Sequence, residues 1–535
     1  MNQVIKTNTT GLSPSHFLRA HSASLLLTVG LLLPCGVNAA QPSAGQTAPV
    51  LDLKAAHLGT PEIDQALLES SSPSDSVRAF FAEARETFAA QPKATLAELP
   101  AVREAAERHG IVLLGGPLLG ALSSDGARVW VRTVKPAKVT VVVQVGEGEH
   151  TFGPVATTVE SDLTAVVSVT GLKPAGRHPY RVLVDGNPVP IPTGAAITTA
   201  PAAAAATRMT IAFGADFHKT GLWNRALLDQ IRAVNPAALL LLGDNAVDDR
   251  DNQVGLHRCD YLLRDLSPGW RELVGSVPVY ATWDDHDYFN NDLSGIPPRF
   301  TAADRAAVRK VWTQSWNNPS YGFEGRGEGI FCHTRIGPCD VIMLDTRFFR
   351  TKPREPDCFL GADQMRWLEE ELAACTGSFI ILTSATMWSD YVSAGKDSWG
   401  VWDPAGRERI LSLIEERRIG GVLLLSGDRH GARVLRIPRP SGFVFHEFEL
   451  GSLGAHPGPA AMGKEPAQQP FGLTGKSLFG TLALDTTVDD PTVTLRIVDQ
   501  DGGERYRLIL TRSQMTPPVT GVRQSSAAFL PGFQP

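Results

Sequence analysis

Residues 280–292 read YATWDDHDYFNND and place Asp284, Asp285, His286 and Asp287 in consecutive positions directly after an apolar run. Carboxylates crowded this closely repel unless they are protonated, solvated or shared by a cation, and a divalent metal turns that repulsion into binding. Three further stretches have the same make-up. GADFH supplies Asp216 and His218, LLGDN supplies Asp244 and Asn245, and SGDRHG supplies Asp428 and His430. Carboxylate oxygens and imidazole nitrogens suit Mn, Fe, Zn or, with enough oxygens, Ca. One polar turn of this kind is commonplace, but four in one chain are expected to share a metal.

To share it they must be brought together, and the flanking residues indicate how. MTIAFG runs into Asp216, AALLLLG into Asp244, VPVYATW into Asp285 and GVLLLSG into Asp428. Between several of these buried-type strands lie helical segments, such as TGLWNRALLDQIRAV and GADQMRWLEEELAAC. Strands alternating with helices imply sheet layers covered by helices, and ligands in such sheets gather where strands end. Two further runs, DVIMLD ending at Asp345 and SFIILTS before Met387, belong to the same pattern. From about residue 440 strand patterning resumes and is expected to complete a second sheet. The Gly/Pro-rich stretch GSLGAHPGPAAMGKEPAQQPFG is expected to rim the pocket.

The chain has 535 residues, of which 43% are hydrophobic and 20% charged, with a formal charge of -6. That composition is globular, has room for several domains and carries no basic footprint for a standing nucleic-acid partner. Residues 1–39 read as a secretory signal: Lys6 and Arg19, the apolar ASLLLTVGLLL, then small residues before Ala39. The expected location is extracytoplasmic, periplasm or secreted, with no membrane span in the mature chain. Residues 40–110 have helical patterning, closed by Gly110 as a helix C-cap. Residues 111–200 show short alternating runs such as ARVWVRT and KVTVVVQV, read as a small β-sandwich of the immunoglobulin or fibronectin type. A linker follows, the catalytic part spans 207–512, and 513–535 is an irregular tail. In an oxidising compartment one or two disulfides are plausible, with Cys332–Cys339 as the first pairing to consider.

Four stretches, WDDHDYFNND, LDTRFFR, LGADQMRWLEEEL and GDRHG, occur in the order that the PhoD-like alkaline phosphatases show, a family of the calcineurin-like metallophosphoesterases. GPLLGALSSDGARVWVRT also resembles the domain that precedes PhoD-like catalytic domains. The resemblance covers roughly residues 112–512. It implies a four-layer α/β sandwich preceded by the small β-sandwich, and a phosphoesterase acting on monoesters, diesters or both.

It further implies a two-metal centre. Asp216, His218 and His430 would hold one ion, Asp244 would bridge, and Asp285 and Asp428 would hold the second. His286 stands at the family's catalytic histidine, protonating the leaving group while a metal-activated hydroxide attacks. The family often has a cysteine in the first motif and a tyrosine three residues after the bridging aspartate. Here GADFHKT lacks the cysteine and Val247 stands at the tyrosine position, which points away from an iron–calcium pair. The histidine of the fifth strand is also missing, since that stretch reads LTSATMWSD, so either the second metal is held more weakly or an oxygen ligand such as Asn245 compensates. Arg347 in DTRFFRTKPRE is the bidentate candidate for phosphate, with Lys219 and Arg429 as further donors. Trp388, Trp399 and Trp402 are candidates for a wall against an organic leaving group.

Two other readings stay open on the sequence. In a metal-free hydrolase, Asp284 and Asp287 would act as acid and base, which leaves three histidines without a role. In a secreted binding protein, the larger domain would be a degenerate metal scaffold.

Overall fold

The computed structural model describes residues 59–70, 73–389, 397–459 and 468–519. The expected signal segment lies outside the described residues, as does most of the expected tail.

Three helices, Pro61–Ser70, Asp75–Ala90 and Pro100–Arg108, open the described chain. Ser74 caps the second by accepting the Val77 amide, and the helix buries Phe80, Phe81, Ala84 and Phe88. The third begins on a proline, whose missing N–H costs nothing there, and ends where Gly110 takes a φ of 67°. The aromatic face of the second helix packs on the helix Val254–Leu266, whose own charged side chains are buried with it.

Eight strands follow: β1 (Leu113–Gly120), β2 (Ala127–Thr133), β3 (Lys138–Val145), β4 (Gly148–Ala156), β5 (Thr164–Val169), β6 (Arg177–Val184), β7 (Asn187–Pro188) and β8 (Ala196–Thr198). They form two antiparallel sheets, ordered β1-β2-β5 and β4-β3-β6-β7, with β8 on β6. Alternate residues such as Val129, Val131, Val141, Val143, Val167 and Val182 point into one shared core.

The rest of the chain supplies β9 (Arg208–Gly214), β10 (Ala238–Leu242), β11 (Val279–Thr282), β12 (Cys332–Ile336), β13 (Cys339–Met343), β14 (Phe379–Thr383) and β15 (Val422–Ser426). It continues with β16 (Ala432–Pro438), β17 (Val444–Leu450), β18 (Phe471–Leu473), β19 (Leu478–Asp485), β20 (Thr492–Asp499) and β21 (Glu504–Thr511). A six-stranded sheet runs β11-β10-β9-β19-β20-β21 and a seven-stranded sheet runs β12-β13-β14-β15-β17-β16-β18. Ile211, Leu240 and Leu482 of the first share a core with Val341, Ile381 and Leu423 of the second, so the sheets face each other. On the outer faces, Leu239 and Leu241 meet one set of helices, and Ile342 and Leu382 meet the helices Gly361–Ala374 and Pro404–Glu416. The order of layers is therefore helix, sheet, sheet, helix. Strands such as β10, ALLLL, are buried on both faces, which is why their sequences are continuously apolar rather than alternating.

The parallel strands β9, β10 and β11 in one sheet, and β13, β14, β15 and β17 in the other, carry the loops that matter. Among the described residues no helix is long and apolar enough to cross a membrane. The β12–β13 hairpin overturns the cysteine pairing: Cys332 lies opposite Met343 and Cys339 opposite Ile336, at different ends of the hairpin, and all five described cysteines are free.

His257 is buried in the helix Val254–Leu266, with Nε2 2.9 Å from the Asp251 carbonyl oxygen. Burial holds its pKa down to about 4 from 6.5. A depressed histidine contributes stability that is present above pH 6.5 and lost as pH falls through about 4. The expected loss is about 3 kcal/mol across that window. In His257→Gln, urea midpoints measured across the same window are expected to fall less steeply; an unchanged pH slope would contradict this.

Candidate metal centre

Each candidate ligand sits two to four residues beyond a strand end: Asp216 and His218 after β9, Asp244 and Asn245 after β10, Asp285 and His286 after β11, Asp428 and His430 after β15. The loops are stitched to one another by backbone. The Asp216 amide donates to Gly243 O at 3.0 Å, the His218 amide to Asp244 O at 2.9 Å, and the Asp428 amide to Asp216 Oδ2 at 3.1 Å. Asp216, His218, Asp244, Asp428 and His430 all hold positive φ, from 44° to 75°. Such left-handed residues cost energy and persist only where the surroundings over-determine them. Close approach is enforced elsewhere too: a Cβ on Gly451 would lie 2.4 Å from Asp216 Oδ2.

The result is a convergence of donor atoms. Asp216, His218 and His430 form one group whose ligand atoms lie within 4.8 Å of one another; Asp244, Asp285 and His286 form a second, and Asp284, Asp285 and Asp428 a third. Together with Arg429 most of these line a cavity of about 240 Å³. The charges are out of balance in a way that calls for cations. Burial pushes the Asp216 carboxyl well above the usual range, with Glu449 and Asp284 adding to it, and Asp244 and Asp428 rise for the same kind of reason. Several buried polar atoms make no hydrogen bond, including Asp216 Oδ1, His218 Nδ1 and Asn245 Oδ1, although Asp216 Oδ1 lies 3.5 Å from His430 Nε2 and His218 Nδ1 3.6 Å from Asp248 Oδ1. Unpaired acceptors of this kind are costly unless something else binds them. The donor set therefore fits metal ions.

His286 is held differently. Its Nδ1 lies 2.7 Å from Asp249 Oδ1, and its Nε2 lies 3.9 Å from Asp244 Oδ2 on the cavity side. Burial works against charging this ring, yet Asp285 and Asp249 prevail and raise its pKa to about 10. The surrounding carboxylates thus favour the charged form of the ring.

Of the sequence candidates, Asp216, His218, Asp244, Asp285, His286, Asp428 and His430 come together. Asn245 is fully buried beside them, its amide nitrogen bonded to Thr282 O and Asp287 Oδ2 and its Oδ1 unpartnered. Arg347 is not at the cavity. It is fully buried, with Nε paired to Asp284 and Nη2 2.7 Å from Asp397 Oδ2, which commits those two donors to carboxylates and leaves Nη1 without a hydrogen-bond partner. Lys219 is buried likewise among Asp64, Asp248 and Asp260. Trp388 and Trp399 stack 5.0 Å apart in the helix-side core, packed rather than lining a pocket. Asp287 accepts the Asn245 and Ala246 amides, and Asp284 faces Arg347. Neither member of the proposed metal-free acid–base pair reaches the cavity.

Two residues escaped the sequence reading: Asp249 holds His286, and His456 on the Gly/Pro-rich loop stands 3.4 Å from His430. Asp284, part of the crowded acidic run, joins a three-carboxylate group with Asp285 and Asp428. The acidic run DNAVDDRDN directly after Asp244 was a legible signal for Asp249.

Residues 245–476 match the family model described as PhoD-like phosphatase, and residues 111–202 match a domain of unknown function, DUF7800. Alkaline phosphatase D of Bacillus subtilis (strain 168) is 26% identical over 185 residues, covering 29% of this chain and 32% of that protein. The chain thus matches about a third of the length of this curated relative. Among solved structures, PhoD superposes with a TM-score of 0.61 at 18% identity, covering 76% of this chain and 93% of the other. Purple acid phosphatase PPD1 from yellow lupin (Lupinus luteus) seeds superposes at 0.55 with 12% identity, covering 76% and 77%. The fold is shared with both.

Proposed function

With residues 245–476 as a PhoD-like phosphatase domain, we propose that the chain is a metal-dependent phosphoesterase hydrolysing phosphate mono- or diesters. The observation that carries this reading is the meeting of Asp216, His218, Asp244, Asp285, Asp428 and His430, from four strand ends, at one cavity. Asp216, His218 and His430 would hold one ion. Asp285, Asp428 and Asn245 would hold another, with Asp244 between the two. When bound, such ions polarise phosphoryl oxygens and make water a better nucleophile. They are drawn from Fe, Mn, Zn and Ca.

The chain's own residues supply the rest. His286, charged and oriented by Asp249, presents Nε2–H towards the cavity, where it can donate to the leaving oxygen as the ester bond breaks. Arg429 lines the cavity with an Nε that has no hydrogen-bond partner, and its Nη1 is 3.5 Å from Asp428 Oδ2. It takes over the phosphate-binding part first given to Arg347. Arg429→Ala is expected to raise KM about 10- to 100-fold with a smaller effect on kcat. An unchanged KM would remove Arg429 from the binding role.

The wider assignment is a leader at 1–39, helices at 40–110, an accessory β-sandwich of the immunoglobulin or fibronectin type at 111–200, the catalytic part at 207–512 and a tail at 513–535. The protein would act in the periplasm or outside the cell. Support for the accessory domain comes from two antiparallel sheets sharing a core. The decisive experiment is exhaustive chelation. Hydrolysis of an activated aryl phosphate is expected to disappear and to return as single divalent ions are added back. Full activity in metal-free protein would sink the proposal, and absence of hydrolysis with every ion would favour the binding-protein reading.

A further inference from the structure

We propose that His333, Asp340 and Cys375 form a zinc-type cation site on the helix-covered face of the seven-stranded sheet, sharing no residue with the catalytic cavity. Register puts the parts together. Arg335 and Asp340 are cross-strand partners on β12 and β13, His333 lies two residues before Arg335 on the same face, and Cys375 follows directly on the helix Gly361–Ala374.

The donor atoms are spaced for one ion. His333 Nε2 is 3.4 Å from Asp340 Oδ1 and 4.0 Å from Cys375 Sγ, and all three ligand atoms lie within 4.8 Å of one another. Around tetrahedral zinc, with bonds of about 2.0 to 2.3 Å, donors stand about 3.3 to 3.8 Å apart, so small contractions suffice. One sulfur, one nitrogen and one oxygen donor select zinc over calcium or magnesium. Water would complete the coordination, because His333 and Cys375 are only half-buried.

The surroundings are those of a held ligand set. His333 Nδ1 lies 2.6 Å from Glu371 Oε2, the carboxylate–imidazole arrangement that orients metal-binding histidines. Asp340 Oδ2 accepts the amides of Thr376 at 3.1 Å and Gly377 at 2.7 Å. Arg335 Nη1 spans both Asp340 oxygens at 3.2 and 3.1 Å. The charges then close: Asp340, Glu371 and a Cys375 thiolate against Arg335 and a divalent ion sum to zero. Without metal, a protonated His333 and a neutral thiol give the same balance. Burial works against that proton, but Asp340, Cys375 and Glu371 raise the imidazole pKa to about 10. Zinc binding displaces the thiol proton of Cys375 and is expected to tighten as pH rises.

The test uses cobalt as a coloured stand-in for zinc on the purified full chain. No cysteine lines the catalytic cavity, so a sulfur-to-cobalt charge-transfer band in the near ultraviolet reports on a thiolate site alone. The band is expected to saturate at one equivalent and to vanish in Cys375→Ser, with aryl phosphate hydrolysis retained. Glu371→Gln is expected to weaken cobalt binding about 10- to 100-fold. Independently of any variant, zinc is expected to slow alkylation of Cys375 in the wild-type chain by about tenfold or more. No band at saturating cobalt, a band that survives in Cys375→Ser, or alkylation indifferent to zinc would each overturn the site. None of these readouts depends on hydrolysis, so they stand or fall apart from the proposed activity.

Discussion

Asp244→Asn is expected to lower aryl phosphate hydrolysis by about 10³-fold or more, equivalent to about 4 kcal/mol of transition-state stabilisation, with the fold intact. Asp244 is buried between the two ends of the cavity, and its ligand oxygen lies within 4.8 Å of donor atoms of Asp285 and His286. Its Oδ1 also accepts the His286 amide at 3.3 Å, and its carbonyl accepts the His218 amide at 2.9 Å. Asparagine keeps the size and both of those acceptors, so the loops should stay in place. What it removes is one negative charge from a cluster in which burial, Asp285 and Asp284 already make ionisation of Asp244 costly. The metal-free variant should accordingly be as stable as wild type or more so, while its metal content and rate fall together. This opposition separates a functional carboxylate from a structural one, since a structural residue would lose stability on substitution. Hydrolysis within tenfold of wild type by metal-loaded Asp244→Asn would remove Asp244 from the centre.

Arg347→Met is expected to act in the opposite way, by destabilising the fold by about 3 to 5 kcal/mol. The guanidinium is fully buried, pairs with Asp284 and Asp397, and stands 3.8 Å from Asp285 Oδ1. Burial alone would discharge it, yet Asp284, Asp397 and Asp285 hold its pKa well above the ordinary value. Methionine fills a similar volume but removes the cation that three buried carboxylates share, leaving Arg350, 2.6 Å from Asp397 Oδ1, and His286 beside Asp285. Removing one partner of a buried ion pair costs far more than the pair contributes, because the charge left behind has no solvent. The check is a denaturation midpoint measured on metal-free protein. A variant as stable as wild type, with only KM raised, would return Arg347 to the phosphate-contacting role that its position in DTRFFR suggested.

Arg347 and Arg429 together show where sequence reasoning stopped. Both are arginines beside metal-type motifs, and nothing in composition or spacing distinguishes them. Arg347 lies on the inward side of its loop, against Asp284, whereas Arg429 sits between two cavity-lining residues, Asp428 and His430. Trp388 and Trp399, which both pack in the core, were open for the same reason, since an aromatic after a strand packs in a core or faces a ligand according to the path of a loop. The role of Asp249, as distinct from its acidic surroundings, was hidden for a related reason. Its partner is 37 residues away, and only the turn after β10 brings the two within 2.7 Å.

What the residues determined unaided was the set of candidate ligands and its carriers. A carboxylate or imidazole that ends a continuously apolar run must sit at a buried strand's edge, because the run needs both faces covered and the charged group needs partners. That local rule holds without knowledge of any distant contact, and it singled out Asp216, His218, Asp244, Asp285, His286, Asp428 and His430. Which charge faces the cavity and which is neutralised behind it depends on side chains far apart in the chain. Only the packed tertiary structure decides that, because Coulomb and desolvation energies are set by distances that the order of residues does not contain.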